Sequence, residues 1–207
     1  MRMFPLAAAV AAATLAVPAF AQDMSTTDTT TTTVTTEPTA PDGTRAFGIE
    51  PYVGVMGTWQ SFDNEAYGAG VPRLANGERL KGWEVTGVAG FNVPLGPVFI
   101  GAEGNVAKGV SGDIDWEYGA AGRFGVRAGE SGMIYGKVGY QWVNFDRFGK
   151  NSPDFDAMTY GIGFEVGPKE IGLGGITGNS GVRLRGEVST FGNAHSLRPS
   201  LGIVTHF

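Results

Sequence analysis

The stretch Leu197-Arg198-Pro199-Ser200-Leu201-Gly202-Ile203-Val204-Thr205-His206-Phe207 decides how the rest of the chain is read. Its side chains alternate at the period of a strand, with Leu201, Ile203, Thr205 and Phe207 on one face. Arg198, Ser200, Gly202, Val204 and His206 take the other face, which therefore carries a charge, a hydroxyl, a glycine and an imidazole. A terminal strand with a bare apolar face invites edge-to-edge aggregation unless it is paired or covered. The partner that removes both edges is the first strand of the same sheet, which closes a barrel. Apolar groups outside and polar groups inside make that barrel one that spans a membrane.

The same alternation runs back to Phe47 in segments of about ten residues separated by turn-rich stretches, the pattern of a transmembrane barrel. Eight segments are expected, at 49–60, 82–93, 98–107, 115–128, 133–145, from 157 onward, 181–191 and 197–207. The fold class that follows is all-β: an eight-stranded antiparallel up-and-down transmembrane β-barrel over 47–207. Pro94-Leu95-Gly96-Pro97 and Gly129-Glu130-Ser131-Gly132 read as tight turns at the periplasmic end. Outer loops are expected at 61–81, 108–114, 146–156 and 192–196. The 181–191 segment is the least regular, and 167–180 is long for a periplasmic turn.

The four tryptophans give an independent check of this register. With the N-terminus periplasmic, Trp59, Trp83, Trp116 and Trp142 all fall near the outer ends of their strands on the lipid-facing side, which reads as an aromatic belt. Phe91, Phe124, Phe164 and Phe207 mark the opposite belt. The inward positions carry Glu50, Glu84, Glu103, Glu117, Glu165 and Glu187 against Arg123, Arg127, Lys137, Arg183, Arg185 and Arg198, a set balanced in sign. Charges screened from bulk water need partners. Glu103 with Lys137, Arg185 and Glu187 is the expected centre of that network, with Arg123 and Glu165 beside it. An eight-stranded barrel is just wide enough for side chains to fill, so these groups, with Tyr52 and Gln141, are expected to plug the lumen. A small porin-like channel is the alternative, through a narrow path opened by exchange of ion-pair partners.

Ahead of the barrel, residues 1–21 read as a removable signal peptide: Arg2 supplies the positive start, 6–17 an Ala-rich apolar run, and Ala19-Phe20-Ala21 the cleavage site. The apolar run is shorter than the ~20 residues a spanning helix needs. Residues 22–46 read as a disordered periplasmic leader, since ten of the fifteen positions from Ser25 to Thr39 are threonine and bury almost nothing. The 207-residue chain has a formal net charge of -5, so no basic footprint points to nucleic acid, and it has no cysteine for disulfides or thiolate metal sites. Export without a helical span leaves the periplasm, the medium or the outer membrane, and the barrel pattern points to the cell outer membrane.

Signals for chemistry are few. His195 and His206 are the only histidines and do not sit at metal-ligand spacing. His195-Ser196 offers a base beside a nucleophile, but neighbours in an extended chain point to opposite faces. Gly172, Gly174, Gly175 and Gly178 have neither the spacing nor the strand-to-helix context of a phosphate loop. No catalytic residue, cofactor or metal is expected. Loop 61–81, with Phe62, Tyr67, Arg73, Leu74, Glu78 and Arg79, is the candidate for an extracellular ligand.

Three motifs carry a resemblance. Ile134-Tyr135-Gly136-Lys137-Val138-Gly139-Tyr140, Tyr160-Gly161-Ile162-Gly163-Phe164-Glu165 and Arg183-Leu184-Arg185-Gly186-Glu187 resemble the opacity-type and outer membrane protein A-type eight-stranded barrel family. Residues 200–207 resemble that family's assembly signal, with Gly202 and Phe207 matching and Thr205 replacing the usual aromatic or apolar group. The resemblance implies outer-membrane lipid, lipopolysaccharide and the barrel-assembly machinery as partners. It implies no single activity, since members serve as adhesins, envelope stabilisers and minor pores. Nor does it imply an appended peptidoglycan-binding domain here. Lipid A deacylases that share the barrel use a His-x-Ser spacing, whereas Leu197 stands where the serine would be, so a lipid A-modifying enzyme ranks behind both a structural or surface-interaction barrel and a channel.

Overall fold

A computed structural model of the chain describes residues 49–207, apart from 73, 75, 76, 129–131, 150, 151 and 168–180. The signal segment 1–21, the leader 22–46, the 129–131 part of one turn and nearly all of the 167–180 turn with its glycines lie outside the described residues.

Eight strands follow one another around a closed barrel, each antiparallel to its sequence neighbours: β1 (Glu50–Phe62), β2 (Lys81–Leu95), β3 (Val98–Gly112), β4 (Ile114–Ala128), β5 (Gly132–Phe145), β6 (Phe155–Val166), β7 (Val182–Phe191) and β8 (Ser196–His206). Closure is made by β8 against β1, where Val53 faces Thr205, Val55 faces Ile203 and Gly57 faces Leu201. The Phe207 amide N–H then donates to the Pro51 carbonyl at 2.9 Å, extending the seam to the C-terminus. Full closure leaves no open edge, which is the physical answer to a terminal strand with an apolar face.

Side chains alternate between the two surfaces on every strand, as a pleat requires. The outward set is apolar and exposed, with Val55 at 61%, Trp83 at 57%, Phe124 at 58%, Ile162 at 71% and Leu201 at 58% accessible. The inward set is buried and largely polar, and includes all six glutamates expected there. The 182–191 strand, irregular in sequence, is a regular member of the barrel, pairing with both β6 and β8.

One end of the barrel, here the loop end, carries the β1–β2, β3–β4, β5–β6 and β7–β8 connections; the other is the turn end. At the loop end the expectation of a loop at 108–114 is overturned. Strand β3 continues to Gly112 and β4 begins at Ile114, so Asp113 alone makes the corner. Register shifts at Trp83/Glu84 and Ile114/Trp116 accommodate the bend. Glycine at 112 supplies the positive φ of 108° that the corner needs. The other connections are 63–80, with a 3-10 turn at Ala66–Ala69, then 146–154, with one at Asp146–Phe148, and 192–195.

Candidate functional site

The inward side chains meet in a buried network at mid-barrel. The Glu103 carboxylate on β3 accepts hydrogen bonds from Tyr52 Oη at 2.8 Å, Lys137 Nζ at 3.3 Å and Arg185 Nη1 at 2.5 Å. Arg123 Nη1 approaches the same carboxylate at 3.7 Å. Across the lumen, Glu165 Oε1 on β6 accepts from Arg123 Nη2 at 2.8 Å and from Arg185 Nη2 and Nε at 2.7 and 3.0 Å. Its Oε2 lies 2.7 Å from His206 Nε2 and 3.9 Å from Arg183 Nη1. Glu187 pairs with Lys137 and accepts from Tyr135 Oη at 2.8 Å. The six residues singled out for the lumen thus form one connected cluster, and Tyr52, Tyr135 and His206 complete it.

The two tyrosines do more than donate. The Arg123 guanidinium carbon lies 3.9 Å from the Tyr135 ring centroid and 4.9 Å from that of Tyr52, and the Arg185 carbon lies 4.9 Å from Tyr52. Stacking on ring faces attracts cations already removed from water. The Tyr52 ring also stacks on His206, with centroids 5.1 Å apart. Space for these rings comes from glycines on neighbouring strands: a Cβ at Gly90 would sit 2.5 Å from Tyr52 Oη, and one at Gly163 2.5 Å from Tyr135 Oη. The glycine-aromatic alternation in the sequence therefore makes room for tyrosines that lie across the lumen.

Nearer the loop end, Arg198 Nη1 is 2.5 Å from Glu117 and its Nη2 is 3.7 Å from Glu84. With its amide nitrogen turned to these carboxylates, Gln60 donates to Glu117 at 2.5 Å and to Glu84 at 3.1 Å. Near the turn end Glu50 pairs with Arg127. Removing an ion from water costs several kcal/mol unless good partners replace the water, and here each charge meets one of opposite sign.

The charged lumen is covered at the loop end by an apolar lid that the sequence reading missed. Phe62, Ala66, Val71, Leu80, Ile114, Val143, Phe145 and Phe191 form a buried cluster, with Leu74, Phe148 and Phe155 packed against it. Phe62 meets Phe145 and Phe191 edge-on at centroid separations of 5.2 and 5.6 Å. The signal was present, since Phe62, Val143, Phe145 and Phe191 lie on the inward parity of their strands. Buried ion pairs thus occupy the middle of the lumen, and packed aromatic rings lie above them at its loop end.

The tryptophans lie on the outer wall towards the loop end. Trp83 and Trp116 are exposed, and Trp59 and Trp142 are half-buried. Trp59 faces Trp83 across the β1–β2 pair, and Trp142 stacks on Tyr118 at 5.4 Å. Gly202 and Phe207 sit at the β8–β1 seam. His195 and Ser196 diverge: His195 Nδ1 lies 3.2 Å from Asp63 Oδ2, while the Ser196 hydroxyl is buried beside Gln60 at 3.4 Å. The two therefore do not form a base-nucleophile couple. Among the described residues no group of three or more His, Cys, Asp or Glu side chains is placed to hold a metal ion.

No family model and no curated protein matches the chain. Solved structures with a similar chain path include Neisserial surface protein A, at 13% identity and a TM-score of 0.47 over 77% of this chain and 99% of that one. The attachment invasion locus protein Ail of Yersinia pestis matches at 16% identity and a TM-score of 0.45, over 76% and 98% of the two chains. A de novo designed transmembrane β-barrel matches at 14% identity and a TM-score of 0.43, over 77% and 96%.

Proposed function

We propose that this protein is an integral barrel of the cell outer membrane, of the opacity and outer membrane protein A type, with a structural or surface-interaction role and no enzymatic activity. The observation that carries this reading is the outer wall. Large apolar side chains are exposed on all eight strands, while the charges at mid-barrel are turned inward and the outward ones, such as Lys108 and Asp115, sit near the loop end. Soluble monomers rarely expose apolar patches beyond a few hundred Å², whereas a band of this kind is what hydrocarbon solvates. The tryptophans towards the loop end then lie at the lipid headgroups, the loop end faces outward towards lipopolysaccharide, and the turn end faces the periplasm. Filling by ion pairs and closure by the lid favour a plugged lumen over a channel. On this reading Gly202 and Phe207 present the terminal strand to the barrel-assembly machinery. The test is fractionation of cells producing the protein, followed by gel electrophoresis with and without boiling. The protein is expected in the outer-membrane fraction with a heat-modifiable mobility, and its recovery in soluble periplasm would refute the proposal.

A further inference from the structure

The connection between β1 and β2 encloses a half-open cavity of about 390 Å³ at the loop end, within the usual range for ligand sites, roughly 300–1,000 Å³. Its floor is the outer surface of the lid, formed by Phe62, Ala66, Val71, Leu74 and Leu80. Its rim carries the carboxylates of Asp63, Glu65 and Glu78, and no described lining residue is basic. Asp63 is fixed in place: its amide N–H donates to the His195 carbonyl at 2.9 Å, and its Oδ1 accepts from the Glu65 amide at 2.8 Å. The exposed Glu65 carboxylate has no partner among the described residues. Glu78 pairs with Arg147, whose Nη1 also reaches Asp113 at 3.2 Å. Asp113 and Asp146 line a second, shallower depression beside Arg147.

Among the described residues five carboxylates therefore run across the outer end, with Arg147 between the two depressions, Arg79 exposed beside Glu78 in the chain, and His195 Nδ1 3.2 Å from Asp63 Oδ2. We propose that this face binds a basic segment of a partner polypeptide, one arginine or lysine entering the 63–80 cavity and a second meeting Asp113 and Asp146. The proposal rests on the surface-interaction reading and gives it a ligand class. Long basic side chains carry an apolar stem and a charged head, which match an apolar floor under an acidic rim. Two depressions bridged by Arg147 extend beyond a single small cation, which favours a chain bearing several charges. The Glu78–Arg147 pair is solvent-exposed, so exchanging it for an incoming guanidinium costs little.

The full-length protein, folded in detergent micelles, is titrated into a fluorescein-labelled Gly-Ser peptide carrying two arginines and into the same peptide with citrulline in their place. Anisotropy is expected to show saturable binding of the arginine peptide alone, weakening as salt shortens the Debye length from about 10 Å to about 3 Å. A Glu65→Gln/Glu78→Gln variant with unchanged heat-modifiable mobility should bind about three- to tenfold more weakly, the loss of exposed charge pairs. Equal binding of the citrulline peptide, or an unaltered affinity in the variant, would overturn the proposal. So would argininamide binding as tightly as the peptide, which would define a small-cation site. Because purified protein is used, failure here leaves the surface-interaction reading standing; that reading fails separately if an impermeant maleimide does not label a Pro72→Cys variant on whole cells, the native chain having no cysteine.

Discussion

At the scale of the residue, Arg185 shows how the interior is held. Its guanidinium is fully buried, bonds to Glu103 and Glu165 on different strands, and lies against Tyr52. Arg185→Met would leave two carboxylates short of a partner in a water-poor space, for which a loss of about 3–5 kcal/mol is expected. Denaturant unfolding of the barrel in detergent should show a lower midpoint. Lys108→Ala removes an exposed pair with Asp115 and should change stability by about 1 kcal/mol or less in the same assay. The charges at 103, 123, 137, 165, 185 and 187 were legible as lumen residues because their parity placed them inward. Their partners were not legible. Glu165 on β6 meets His206 on β8 and Arg123 on β4, contacts across a lumen that alternation along one strand does not encode.

At the scale of the element, strands were readable because a two-residue period survives wherever one face is apolar. The terminal strand is the clearest case: the face bearing Leu201, Ile203 and Phe207 is outward, and β1 is the partner that alternation demanded. Gly202 adds a packing reason to its place in an assembly signal, since a Cβ there would sit 2.2 Å from the Val55 carbonyl oxygen and crowd the closing seam. The loop at 108–114 was misread because Gly109, Ser111 and Gly112 have the composition of a turn, yet here they permit a bent hairpin. The lid was missed for a related reason. Inward parity does not by itself mean polar, since Phe145 and Phe191 sit inward above the charges. Ile162, at mid-strand on β6 and 71% accessible, discriminates between lipid and water as the surrounding medium. Ile162→Arg should cost about 2–4 kcal/mol for refolding into bilayers if the wall faces hydrocarbon, measured as the fraction folded against denaturant; an unchanged value would mean that this wall faces water.

At the scale of the whole molecule, a closed sheet turns inside out the usual partition of a soluble domain, with ion pairs at the centre and exposed aliphatic side chains around it. Central ion pairs and an apolar lid predict no steady conductance when the protein is added to planar bilayers. Long-lived unitary currents that respond to Glu103→Gln would instead establish the channel. The most direct measurement of the central claim concerns the outer wall. Purified protein is reconstituted into vesicles of ordinary or brominated phospholipid, and the fluorescence of Trp59, Trp83, Trp116 and Trp142 is compared. Strong quenching by the brominated chains is the predicted result, with the strongest effect when bromine lies near the headgroups. Tryptophan emission indifferent to brominated lipid, with the protein remaining in the aqueous phase, would contradict a barrel whose apolar wall is solvated by membrane.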